Sequence, residues 1–182
     1  MSHLTDEEVL ALAVTAFQGV PRPGRVNSCL CDECRELDEL LSHRDNDTLD
    51  ASDLDFSESL LSTDALRFFM PGLIRLCLRP DAVADGRLYD NFVYSTLGQP
   101  VSKKNPPKHH PRFPVLTKEQ TTVVLAFLEH LDRTRYNTEE GRPRELRRAI
   151  DNWRNFVGTL GGDSTPSNRN QSLDQSRRSG RN

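Results

Sequence analysis

Two capping boxes constrain this chain more than any other feature of it. In Thr5-Asp-Glu-Glu8, and again in Thr117-Lys-Glu-Gln120, a threonine precedes by three residues a side chain that can reach back to it. The hydroxyl satisfies one orphan amide of a helix's first turn, and the Glu8 or Gln120 side chain satisfies another. Behind each box the apolar residues recur at helical spacing. Val9, Leu10, Ala13, Val14, Ala16 and Phe17 follow the first, and Val123, Val124, Phe127, Leu128 and Leu131 follow the second. Gly19 and the Pro21/Pro23/Gly24 cluster close the first of these helices.

The rest of the chain carries the same period. A helix starts near Asp32 and brings Leu37, Leu40 and Leu41 into line. Thr63 caps "DALRFFMPGLIRLCL", the most apolar stretch, in which Cys77 reads as a small core residue. Pro71 removes an amide there and crowds the preceding turn, which predicts a kink or two abutting helices. A fourth helix is predicted over 85–97, with Leu88, Tyr89, Phe92, Val93 and Leu97 on one face. The last, over 143–159, buries Leu146, Ile150, Trp153, Phe156, Val157 and Leu160. Residues 42–62 read as an acidic loop with a short helical turn. Residues 98–114, with five prolines in seventeen positions, read as a long extended loop. No segment alternates long enough for a strand, and nothing repeats at 20 to 50 residues. The fold class is all-α, a compact single-domain bundle of five to seven helices.

Composition separates that bundle from the C-terminal end of the chain. The 182 residues are 35% hydrophobic and 28% charged, a balance in which part of the chain does not pack. From Gly161 onward there is one Leu among Gly, Ser, Asn, Gln, Arg and acids. The expected organisation is a helical domain over 1–160 and a disordered tail over 161–182. Charge is also uneven. Residues 1–64 hold fifteen acids and four basic residues, and residues 65–182 hold twelve acids and twenty basic residues. Two halves that face each other in one fold and partly cancel account for this; a dipolar surface that steers a charged partner is the alternative. The opening segment starts acidic and becomes amphipathic, and no apolar run approaches the ~20 residues of a membrane span. Four cysteines without an export signal point to a reducing, cytoplasmic setting.

Taken in order, "AFQGVPRPG", "CDECREL", "LSTDALRFFMPGLIRLCL" and "LTKEQTTVVLAFLEHL" resemble a family of small bacterial proteins classed as a domain of unknown function. Its members carry an F-x-G-V-P-x-P segment after the first helix and an L-T-x-E-Q…F-L-x-x-L helix near the end. The resemblance covers about residues 5 to 132. It implies a helical fold and a bacterial origin, and it carries no catalytic set. Only some members have a pair like Cys31 and Cys34, which implies no obligatory metal.

Chemistry concentrates in "SCLCDECREL", where Cys29, Cys31 and Cys34 fall within six positions. A structural zinc site takes four thiolate or imidazole ligands, and this cluster supplies three. His43 lies nine residues beyond Cys34, ~13 Å along an unbroken helix and out of reach. The fourth ligand would then be His109 or His110 in the Pro-rich loop. A redox pair is the second reading, weakened because no strand precedes the helix and because Asp32, Glu33, Glu36 and Asp38 oppose a thiolate. Three incidental cysteines at a helix start are the plainest reading.

Other candidates fare worse. "HHPRFP" reads as a solvated linker whose Phe113 returns to the core. The arginines at 144, 147, 148 and 154 are interleaved with Glu139, Glu140, Glu145 and Asp151, and no aromatic is placed for base stacking, so nucleic acid is not the expected partner. No nucleophile elbow, phosphate loop or H-E-x-x-H motif is present. The sequence therefore supports first a non-catalytic interaction module whose partner is another protein. The alternative is a zinc-binding helical module, and an enzyme of unrecognised type comes after both.

Overall fold

Both capping boxes form. Thr5 Oγ1 accepts from the Glu8 amide at 3.2 Å while the Glu8 carboxylate accepts from the Thr5 amide at 2.8 Å. Thr117 and Gln120 repeat the exchange at 3.2 and 3.1 Å. The structure, a computed structural model, describes residues 3–27, 29, 31–54, 61–82, 88–98, 116–136 and 143–160. Its elements are α1 (Asp6–Ala16), α2 (Asp32–Ser42), α3 (Thr63–Leu78), α4 (Lys118–Arg135) and α5 (Arg144–Leu160). A 3₁₀ turn at Ala51–Leu54 and a π-helical segment at Tyr89–Thr96 complete the order. Among the described residues there is no strand, and one isolated bridge joins Asn27 to Leu61. The all-α expectation holds. The expected tail over 161–182 and all but the first residue of the Pro-rich loop lie outside the described residues.

The second capping box does more than open a helix. Gln120 is buried, and its Nε2 donates to the Ala16 carbonyl at 3.1 Å, satisfying the last turn of α1. At the other end of the pair, Asp6 Oδ1 meets His130 Nε2 at 2.5 Å and Asp6 Oδ2 meets Arg135 at 3.1 Å. α1 and α4 are thus antiparallel and fastened at both ends, and the Asp6–Arg135 pair ties the acidic half of the chain to the basic half. α4 also packs along α5, α1 against α3, and α5 against the π-helical segment. The shared core is built on Phe69, Phe92, Phe127 and Trp153, all fully buried. Trp153 Nε1 donates to the Leu97 carbonyl at 2.8 Å and Asn152 to the Gly98 carbonyl at 3.1 Å, so α5 satisfies the end of the π segment.

Four expectations need correction. Of the two alternatives at Pro71, the pair of abutting helices fails, since α3 is one continuous helix through it. Its N-cap is Ser62, whose hydroxyl accepts from the Ala65 amide at 3.2 Å, one residue earlier than expected. The fourth helix is π-helical, with Leu97 N–H reaching the Phe92 carbonyl five residues back at 2.8 Å. Leu88, Phe92, Val93 and Leu97 are buried there as expected. Val14 is 52% exposed, because the α1 stripe is Val9, Ala13 and Phe17 at steps of four, and Val14 stands roughly 100° round from it. In α5 the Leu146, Ile150 and Trp153 positions are buried, while Phe156 and Val157 are half-buried.

Candidate metal centre

The cysteine cluster sits where a loop meets the start of α2. Cys31 is the N-cap of that helix and its carbonyl accepts the first helical bond, from the Arg35 amide at 3.1 Å. Cys34 lies in the first turn and is buried, 1% exposed, beside Leu37 and Leu41 on the inward face. Cys29 and Cys31 are exposed. A helix N-terminus presents unpaired amides and a partial positive charge, which favours thiolates over thiols.

Three residues outside the cluster fasten the loop against the helix. Arg25 donates to the Cys29 carbonyl at 2.9 Å, to Asn27 Oδ1 at 3.3 Å and to Asp38 at 3.1 Å. The other Asp38 oxygen accepts from the Val26 amide at 2.7 Å. The buried Asn27 amide donates to the Cys34 carbonyl. Behind the loop, the Ser62 amide donates to the Val26 carbonyl at 2.7 Å, joining it to the start of α3. Cys29 is therefore held over the helix N-terminus by a bracket that also grips Cys34.

The sulfurs converge. Cys29 Sγ lies 2.8 Å from Cys31 Sγ and 2.6 Å from Cys34 Sγ, and all three lie within 4.8 Å of one another. All four cysteines, Cys77 in the core included, are free thiols. The shared proton network splits the thiols. Hydrogen bonds from Cys31 and Cys34 hold Cys29 below the usual thiol range. The bond to Cys29, with burial behind it, pushes Cys34 up to about 12. The surrounding acids oppose a thiolate, yet Cys29 is held below the ordinary thiol range by its sulfur neighbours. The acid nearest the bracket, Asp38, is already paired with Arg25. Three soft donors converging at one point form a group that could hold a metal ion.

The other proposed ligands fall elsewhere. His43 is the C-cap of α2, at the far end of the helix from Cys31. His109 and His110 lie outside the described residues. Among the described residues no other group of three Cys, His, Asp or Glu side chains converges in this way.

Sequence reasoning also passed over the one histidine that, among the described residues, the fold buries beside an acid. His130 is 2% exposed, with Nε2 at 2.5 Å from Asp6 and Nδ1 at 2.9 Å from the Arg133 guanidinium. A guanidinium only donates, so Nδ1 accepts and the ring proton sits on Nε2, shared with Asp6. Both nitrogens are occupied, which leaves none to act as a general base. Burial raises the Asp6 carboxyl, but the His130 hydrogen bond and the Arg135 charge outweigh it and hold the group below its ordinary value. The separation of 124 positions between Asp6 and His130 hides this pair from any local pattern. It is a fastening between α1 and α4.

A family model described as "Family of unknown function (DUF6714)" matches residues 5–157. The match extends past the 5–132 span of the sequence resemblance and takes in most of α5. No curated protein and no solved structure matches the chain. Among the described residues no helix is long and apolar enough to cross a membrane.

Proposed function

The chain belongs to the DUF6714 family of unknown function, and we propose from the geometry of its own cysteines that it is a zinc-binding helical module. The observation that carries this reading is the convergence of the Cys29, Cys31 and Cys34 sulfurs at a helix N-terminus. Thiols with no shared ligand gain little from such crowding, and thiolates repel one another. A divalent ion among the sulfurs makes such a grouping favourable once they part to roughly 3.7 Å, because its attraction for each thiolate exceeds their mutual repulsion and it displaces their protons. Zinc is the ion of choice for sulfur ligands without redox chemistry of its own. A fourth ligand comes from His109 or His110, or from solvent.

Such a site is structural in kind. It would hold the 25–29 loop on α2 and present both as one surface, which fits a non-catalytic role with another protein as partner. Two apolar side chains on α1, Leu12 at 42% and Val14 at 52% exposed, are too small a patch to define that partner's footprint. A reducing, cytoplasmic setting is part of the same proposal, and the free thiols support it.

Elemental analysis of protein purified without chelator tests the metal reading. About one zinc per chain is expected, falling below a tenth in a Cys29→Ser/Cys34→Ser variant. Zinc well below one equivalent in the wild type ends the idea. Co-purification from native cells at low salt tests the partner, and consistent recovery of none counts against the interaction role.

A further inference from the structure

The three cysteines are not equivalent, and the difference separates a reactive pair from a third thiol. Cys29 is open to solvent, so a small oxidant reaches it directly. Cys34 is 1% exposed and meets an oxidant only through its neighbour, whose sulfur is 2.6 Å away. The bracket also distinguishes them. Arg25 anchors the carbonyl of Cys29, Asn27 anchors that of Cys34, and Arg25 and Asn27 bond to each other. Cys31 has no part in that bracket; its carbonyl goes to the helix. A bond from Cys29 to Cys31 would close a ring over one intervening residue, whereas a bond to Cys34 closes over four.

We propose that Cys29 and Cys34 form an oxidisable pair, so that a hydroperoxide joins them as a disulfide and the bound metal leaves. The inference rests on the zinc reading and adds its regulation. The Cys29 thiolate attacks the peroxide oxygen; the O–O bond breaks, hydroxide or alkoxide leaves, and Cys29 becomes a sulfenic acid. The Cys34 sulfur then attacks the Cys29 sulfur. The S–O bond breaks, the departing hydroxide takes a proton from solvent to leave as water, and the S–S bond forms. Two thiolates are oxidised by two electrons, and with two protons from solvent the hydroperoxide is reduced to an alcohol, or water, plus water. With two of its three sulfurs lost, the site no longer holds zinc. Cys34, buried and adjacent, intercepts the sulfenic acid before a second oxidant does.

The test uses the full chain loaded with zinc and treated with hydrogen peroxide. Released zinc is read with a chromophoric chelator, and the remaining thiols are alkylated. Cleavage after Glu33 separates Cys34 from Cys29 and Cys31. A Cys29–Cys34 bond keeps the two fragments together with Cys31 alkylated, and a Cys29–Cys31 bond leaves them apart. One zinc released per Cys29–Cys34 bond, with uptake restored by a dithiol reductant, is expected. Cys31→Ser should keep the linkage and Cys29→Ser should lose it. Zinc retained under peroxide, a bond to Cys31, or sulfinic and sulfonic acids in place of a bond overturns the proposal. No zinc uptake by the untreated chain overturns the zinc reading and the release step together, and the linkage assay then decides the pair alone.

Discussion

The Asn46 carboxamide lies across the turn of α3 that Pro71 opens, with Oδ1 accepting the Gly72 amide at 2.8 Å and Nδ2 donating to the Phe68 carbonyl at 2.9 Å. Proline leaves a helix short of one donor and pushes against the preceding turn. A side chain that both donates and accepts there stands in for a peptide unit. Arg75 completes the splice, donating through Nε to the Asn46 carbonyl at 3.1 Å and through its terminal nitrogen to the Leu49 carbonyl. This is why α3 continues as one helix.

Removing that amide should cost stability without changing the fold. Asn46→Ala leaves two partly buried backbone groups without this partner, and a loss of about 1–3 kcal/mol is expected in urea unfolding. Gly72→Ala should be as severe, because a Cβ at that position meets the Asn46 carbonyl oxygen at 3.0 Å and its Cα at 3.1 Å. Those are backbone atoms that cannot swing aside, so crowding outweighs the roughly 1 kcal/mol that alanine ordinarily gains over glycine in a helix. The double variant should recover nothing. Gly72→Ala as stable as wild type would refute the close approach.

The two capping boxes should respond unequally. Glu8 is exposed and serves only its own box, whereas Gln120 is buried and also holds the end of α1. Gln120→Ala is expected to cost about 1–3 kcal/mol. Glu8→Ala should cost about 1 kcal/mol or less. Chemical denaturation monitored by Trp153, the single tryptophan and fully buried, reads both.

Asp6 makes stability depend on pH in a defined direction. Its folded carboxyl titrates below the ordinary value of 3.8, so its contribution is present above that value and is lost as pH falls through the lower, folded one. Asp6→Asn should therefore be less stable than wild type at neutral pH. The gap should narrow below pH 3.8 and close once Asp6 is protonated in both states. A gap independent of pH would mean that the His130 and Arg135 contacts do not act through charge.

Metal affinity should fall steeply as the solution is acidified. Zinc must expel the Cys34 proton, held by a thiol pushed up to about 12, and so competes with protons across the whole accessible range. Affinity measured against a chelator of known pH dependence should drop at least about tenfold per pH unit between roughly pH 8 and 6. In the metal-free protein Cys29, exposed and lowered, should alkylate before Cys34, as read by mass spectrometry after short pulses.

Much of this was legible in the residues. The capping boxes, the apolar stripes and the core position of Cys77 are local patterns, and local patterns survive into the fold. The cysteine spacing likewise placed three sulfurs together. The relationships that stayed hidden depend on residues far apart in the chain. Nothing in "RFFMPGLI" announces that Asn46 will repair the helix, so Pro71 reads as a kink or as the join of two helices. A π turn over Tyr89–Thr96 has the same residues as an α turn, and it is α5, through Asn152 and Trp153, that satisfies its end. The bracket of Arg25, Asn27 and Asp38 has no spacing signature either, and Asp38, an opponent of the thiolate by sequence alone, is paired with Arg25.

Whether three sulfurs share one ion is measured directly by zinc K-edge absorption of the full chain as purified. Three sulfur scatterers at about 2.3 Å, with one lighter atom completing the shell, are expected. A shell of nitrogen and oxygen alone, or one sulfur at most, would contradict it.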